Sequence, residues 1–182
     1  MTDLDPTLDA RYLEIFPSFL RTLGDDAAAL GAVVSSDAPE PVRRYVIAGL
    51  NYIFKSLDLI PDGIDDLGFL DDAFVLRVAA ALAAEESPEA ASNEPLARFV
   101  HDAAQVRAFL GDVYPRLEAY VKNLRTGAAR GRTVDDVLGN AETQRTFVHE
   151  VSAWAKDYQV PSFARDVKTL IKLRAFLSAK LG

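Results

Sequence analysis

The stretch "SLDLIPDGIDDLGFLDDAF", residues 56 to 74, carries six aspartates in nineteen positions, interleaved with Leu57, Leu59, Ile60, Ile64, Leu67, Phe69 and Leu70. It separates two apolar runs, "YVIAGLNYIF" and "AFVLRVAAALAA", and no other feature restricts the fold as strongly. Proline lacks a backbone donor and holds the residue before it extended, so Pro61 rules out one continuous helix through Ile60. The apolar runs must therefore be two helices joined by a short charged loop. Upstream, Pro41 suits a first helical position ahead of Val42, Tyr45, Val46, Gly49, Leu50, Ile53, Phe54 and Leu57 at helical spacing. That helix should stop near Leu57 or Asp58. Downstream, Asp71 or Asp72 can cap a helix reaching about Glu86.

The same periodicity runs through the rest of the chain. Leu8, Tyr12, Ile15, Phe16, Phe19, Leu20 and Leu23 describe one helical face, with Pro17 predicting a kink or restart and Gly24 a stop. A further short helix is expected over "DAAALGAVV". The acidic, breaker-rich "EESPEAASNEP" is the predicted boundary between two parts of the chain. Beyond it, helices are expected near 96–111, 113–126, 142–158 and 162–181, with a turn of helix from Val134 after the loop "TGAARGR". There is no strand-like alternation and no repeat of fixed period. The fold class is therefore all-α: a single domain over 1–182 of about seven or eight helices. It consists of a helix-loop-helix hairpin at 41–86 and a C-terminal helical bundle extension at 96–182.

With 182 residues, 49% of them apolar, the chain can bury one good core. The lack of cysteine excludes disulfides and thiolate metal sites and makes the cytoplasm the expected compartment. The acidic start "MTDLDPTLDARYLE" does not read as a secretory signal, and the apolar runs are half the ~20 residues needed to span a bilayer. Residues 1–95 hold 6 Lys/Arg against 18 Asp/Glu, whereas 96–182 hold 14 against 9. The opposite signs suit attraction within one fold, or different partners for the two halves, and give little support to nucleic-acid binding.

Two jobs are open to the aspartates. In one, Asp62 forms a turn with Gly63, and Asp71 or Asp72 opens the next helix, where a negative charge suits the positive helix end. In the other, Asp58, Asp62, Asp65, Asp66, Asp71 and Asp72 gather round Mg²⁺ or Ca²⁺, hard cations that take several oxygen ligands. An EF-hand does not fit: with Gly63 at its glycine position, Ile60 and Phe69 fall where acidic ligands are needed. Asp58 sits at a helix C-terminus, where a carboxylate requires a donor or cation, and Arg43, Arg44, Lys55 and Arg77 are the candidate donors.

On Tyr52, Asp58, Leu59, Ile60, Pro61, Asp62, Ile64, Leu67, Gly68, Leu70, Asp71 and Asp72, the segment resembles the signature of the YkvA-like family of bacterial and archaeal domains. The resemblance covers about 41–86. It departs at Asp65, where the family usually has proline, and at Asp66, where it usually has an apolar residue. What it implies is a helix-loop-helix hairpin in small soluble or membrane-associated proteins, with no established activity to carry over.

Other chemistries have less support. His101 and His149 are far apart in sequence, and no phosphate loop or nucleophile elbow is present. Arg125, Arg130 and Arg132 with Lys122 form a basic loop that suits solvent, phosphate or an acidic partner. The last helix sets Phe163, Val167, Leu170, Ile171, Phe176, Leu177 and Leu181 against Arg165, Lys168, Lys172, Arg174 and Lys180, a pattern that suits core packing or an anionic membrane surface. The expectation is a non-enzymatic interaction or regulatory module whose partner is another protein. A Mg²⁺ or Ca²⁺ module, structural or hydrolytic, and a peripheral membrane protein are the alternatives.

Overall fold

The apolar periodicity becomes eight α-helices among the described residues of a computed structural model, which are 6–55, 58–61, 63–64, 66–92 and 94–182. They are α1 (Pro6–Val34), α2 (Glu40–Ile53), α3 (Leu70–Glu86), α4 (Leu96–Leu110), α5 (Tyr114–Asn123), α6 (Val134–Gly139), α7 (Ala141–Asp157) and α8 (Val167–Leu181). The all-α expectation holds, with one small exception. Ala128–Ala129 and Arg132–Thr133 pair antiparallel as β1 and β2. The turn between them places Arg130 at φ 50° and Gly131 at φ 76°, the two left-handed positions of a type I′ hairpin.

The structure corrects the expectation for the N-terminal segment. Neither Pro17 nor Gly24 interrupts α1, and "DAAALGAVV" is its last part rather than a separate helix. Gly24 has a packing role instead: a Cβ there would lie 3.0 Å from the Ala155 carbonyl oxygen of α7 and 3.3 Å from the Tyr158 ring. A second close approach joins α2 to α3, where a Cβ on Gly49 would come within 3.0 Å of the Ala79 methyl.

At the centre lies α3, buried on nearly every side and packed against α1, α2, α4 and α5. Its composition explains this, since "AFVLRVAAALAA" has no polar face to give to water. Aromatic rings from three helices fill the space beside it: Phe16 meets Phe74 at 5.0 Å and Phe109 at 4.9 Å, both edge-on. From there the core continues through Phe147 and Val151 of α7 to Leu170, Leu173 and Leu177 of α8. α8 starts at Val167 rather than 162, because Asp166 caps it by accepting from the Lys168 N–H and the chain before it is non-helical. No helix among the described residues is long and apolar enough to cross a membrane.

Candidate functional site: the tied aspartate loop

Tyr52 is the penultimate residue of α2, fully buried, with its hydroxyl directed at the start of α3. It donates to Asp71 Oδ2 at 2.5 Å and accepts from the Leu59 N–H at 2.7 Å. The Ile60 N–H donates to the same Asp71 oxygen at 3.2 Å. One tyrosine and one carboxylate thus fasten Leu59 and Ile60 of the loop to both helices, and both side chains are buried. Burial, then the charge of Asp71 and the hydrogen bond to it, push the Tyr52 phenol far above its ordinary value, so it stays a donor.

Tyr120 of α5 packs edge-on to Tyr52 at 6.1 Å, and the Lys55 ammonium lies 5.5 Å from its ring centre. Its phenol is pushed up to about 12, by burial first and then by Asp71 and Asp58. Asp58 is half-buried and close enough to act on Tyr120. Three of its four candidate donors are engaged elsewhere. Arg43 donates to the Val34 carbonyl, Arg44 pairs with Glu40 and Asp135, and Arg77 pairs with Asp26 and Asp102.

The far end of the loop is held by backbone shape and aromatic packing. Asp66 and Phe69 both take φ 67°, a left-handed conformation that costs a non-glycine residue energy unless its surroundings impose it. Phe69 precedes α3 and lies 5.4 Å from the Tyr158 ring and 6.3 Å from Trp154 of α7. Tyr158 in turn donates to the Leu20 carbonyl at 2.7 Å. Burial, then the charges of Asp72 and Asp26, raise its phenol.

The helix cap expected of Asp71 or Asp72 is the one aspartate role that the structure corrects. Asp71 and Asp72 lie in the first turn of α3 and are buried, but the residue before that helix is Phe69, which makes no side-chain cap. Asp71 reaches across to α2 instead. Asp62 and Asp65, two of the six proposed cation ligands, lie outside the described residues, as does the expected Asp62 turn. Among the described residues no group of three or more histidine, aspartate or glutamate side chains is placed to hold a metal ion.

A second charged cluster lies on the other side of α3. Arg77 is fully buried, donates to Asp26 at 3.0 Å and Asp102 at 3.2 Å, and also bonds the Ala73 carbonyl at 3.1 Å. Its guanidinium lies 3.8 Å from the centre of the Phe19 ring. Asp26 further accepts from Arg98 at 2.6 Å and from the Thr22 hydroxyl at 2.8 Å. Burial pulls the Arg77 pKa down while Asp26 and Asp102 oppose that pull. The sequence carried a signal for this cluster, because an arginine inside "FVLRVAAALAA" must find counter-charges if its helix is buried.

The remaining candidates are dispersed. His101 and His149 are exposed on α4 and α7. Of the basic loop, Lys122 and Arg130 are exposed, yet its three arginines have partners within the fold: Arg132 and Arg130 both pair with Glu150, Arg130 lies over Phe54 at 4.2 Å, and Arg125 lies over Tyr45 at 4.8 Å. The fold and site together define an all-α protein built round a helical hairpin whose loop is tied by a buried tyrosine–aspartate pair. Comparison of the chain with protein-family models, curated proteins and solved structures finds no match.

Proposed function

We propose that this chain is a non-enzymatic interaction module that presents the aspartate loop to a protein partner, on a hairpin of the YkvA-like kind. The observation that carries the reading is the contrast between the root of the loop and its tip. Tyr52, Asp71, Leu59 and Ile60 are buried and hydrogen-bonded to one another, whereas Pro61 and Gly63 are exposed. A loop ordered before binding loses less conformational entropy on association, so more of its contact energy appears as affinity. The assignment of Asp71 to Tyr52 and of Arg77 to Asp26 and Asp102 gives these charged groups work inside the fold.

The test uses two glycines at which a Cβ would meet nothing within 4 Å, Gly63 at the loop tip and Gly139 at the end of α6. A photo-reactive phenylalanine analogue is placed at each in the full-length protein. Specific cross-linking to one protein from position 63 but not 139, reproduced with that protein purified, supports the reading. Equal adducts from both positions, or catalytic turnover lost on Asp58→Asn, overturns it.

A further inference from the structure

We propose that the outward face of α8, with the extended segment before it, docks onto an anionic lipid surface, a property that goes beyond the protein-partner reading and does not depend on it. Among the described residues, the large hydrophobic side chains left exposed are Val160 (53%), Val167 (41%) and Ile171 (44%). All three fall within one stretch of twelve positions, 160–171. The inward face of α8 is already occupied, since Leu170, Leu173 and Leu177 are buried in the core. Val167 and Ile171 are therefore a second apolar strip, one turn apart, pointing away from the protein.

Charge selects the occupant. From Arg165 to the end, the only acidic residue is Asp166, which caps the helix by accepting from the Lys168 N–H. Arg165 pairs with Glu14 at 2.8 Å, and Arg174 lies against Gly111. Lys168 and Lys172 are exposed, each next in sequence to one of the two outward aliphatics. Branched aliphatics at the acyl boundary, with lysine stems reaching back to the headgroups, are the pattern of a helix lying in a membrane interface. Protein hot spots instead favour tryptophan, tyrosine and arginine, which this strip lacks. Because the whole chain carries −7, the docked orientation must turn the acidic half away, and added salt must weaken binding.

The experiment is sedimentation of the full-length protein with vesicles of equal parts phosphatidylglycerol and phosphatidylcholine, and with phosphatidylcholine alone. The expected result is binding to the first, little to the second, and loss with salt. Replacing Lys168 and Lys172 together by glutamine should weaken binding about 25-fold, from the attraction of each lysine to an anionic surface. Ile171→Ser should weaken it further, and neither change should alter the circular dichroism or melting temperature, because these side chains are exposed. Absence of sedimentation, equal binding to the neutral vesicles, or a K168Q/K172Q variant that binds like wild type overturns the proposal. So does soluble polyglutamate binding as tightly as the vesicles, which would assign the face to an acidic polypeptide.

Discussion

Removing one oxygen atom should release the loop from the core. In Tyr52→Phe the ring keeps its edge-on contact with Tyr120, but Asp71 loses a donor and the Leu59 N–H loses its acceptor. A hydrogen bond to a charged group contributes about 1.5–3 kcal/mol, and a buried donor left unsatisfied costs about 1–3 kcal/mol. Asp71 keeps the Ile60 N–H, so the expected loss is about 3 kcal/mol rather than the full sum. For a chain of this length that is a fall in melting temperature of about 6–12 °C. Urea unfolding should show a lower midpoint at unchanged slope. Asp71→Asn in the Tyr52→Phe background should then add less than it does alone, because the two groups share one bond. A loss below about 0.5 kcal/mol, typical of an unremarkable surface change, would falsify the view that this pair holds the loop.

Further outcomes follow from the same contacts. Arg77→Met should destabilise by about 3 kcal/mol in chemical unfolding, the low end for a broken buried pair, because buried Asp26 loses one of its two arginines and keeps Arg98, while Asp102 also loses Arg77; a variant as stable as wild type would show that the buried cluster contributes nothing net. Gly49→Val should cost about 1–3 kcal/mol through overpacking against Ala79 of α3, read as a shift in urea midpoint. The Tyr120 phenol is raised to about 12 in the fold, so the folded state holds a proton that the unfolded state has released above about 10. Stability from this group is complete below pH 10 and declines toward 12. Tyr120→Phe should remove one late-titrating phenol from the alkaline ultraviolet spectrum. For the cation alternative, Trp154 touches Phe69 and is the only tryptophan, so its fluorescence reports on the loop. An interaction module without a cation site gives neither saturable heat nor an emission change with Mg²⁺ or Ca²⁺; both together would establish the cation site.

The hairpin was legible because its signals are local. Pro61 and the apolar spacing on either side separate α2 from α3 without any knowledge of the rest of the chain, although α2 ends at Ile53, four residues before the stop expected near Leu57 or Asp58. The role of Asp71 was not legible in the same way. A carboxylate at a helix start reads as a cap, and only the position of Tyr52 on the neighbouring helix shows that it reaches across instead. The left-handed conformation of Phe69 was not legible for a related reason, since a bulky residue at positive φ is disfavoured until Trp154 and Tyr158, more than eighty positions away, provide a site for its ring. Gly24 likewise reads as a helix stop until α7 is seen lying against it. The β1–β2 hairpin escaped notice because two-residue strands cannot show alternation, although Arg130–Gly131 hold the conformations its turn requires. Arg77 was legible only as a candidate donor for Asp58, because its actual partners Asp26 and Asp102 come from distant parts of the chain.

The root of the loop is hydrogen-bonded before any partner arrives, and amide hydrogen exchange at Leu59 and Ile60 measures that order directly. Both N–H groups donate to buried oxygens, so both should open only with a free energy within about 1–2 kcal/mol of global unfolding, and in Tyr52→Phe the Leu59 amide should lose that protection. Exchange at these two amides as fast as in an exposed loop, in the wild-type protein with no partner present, would contradict that order.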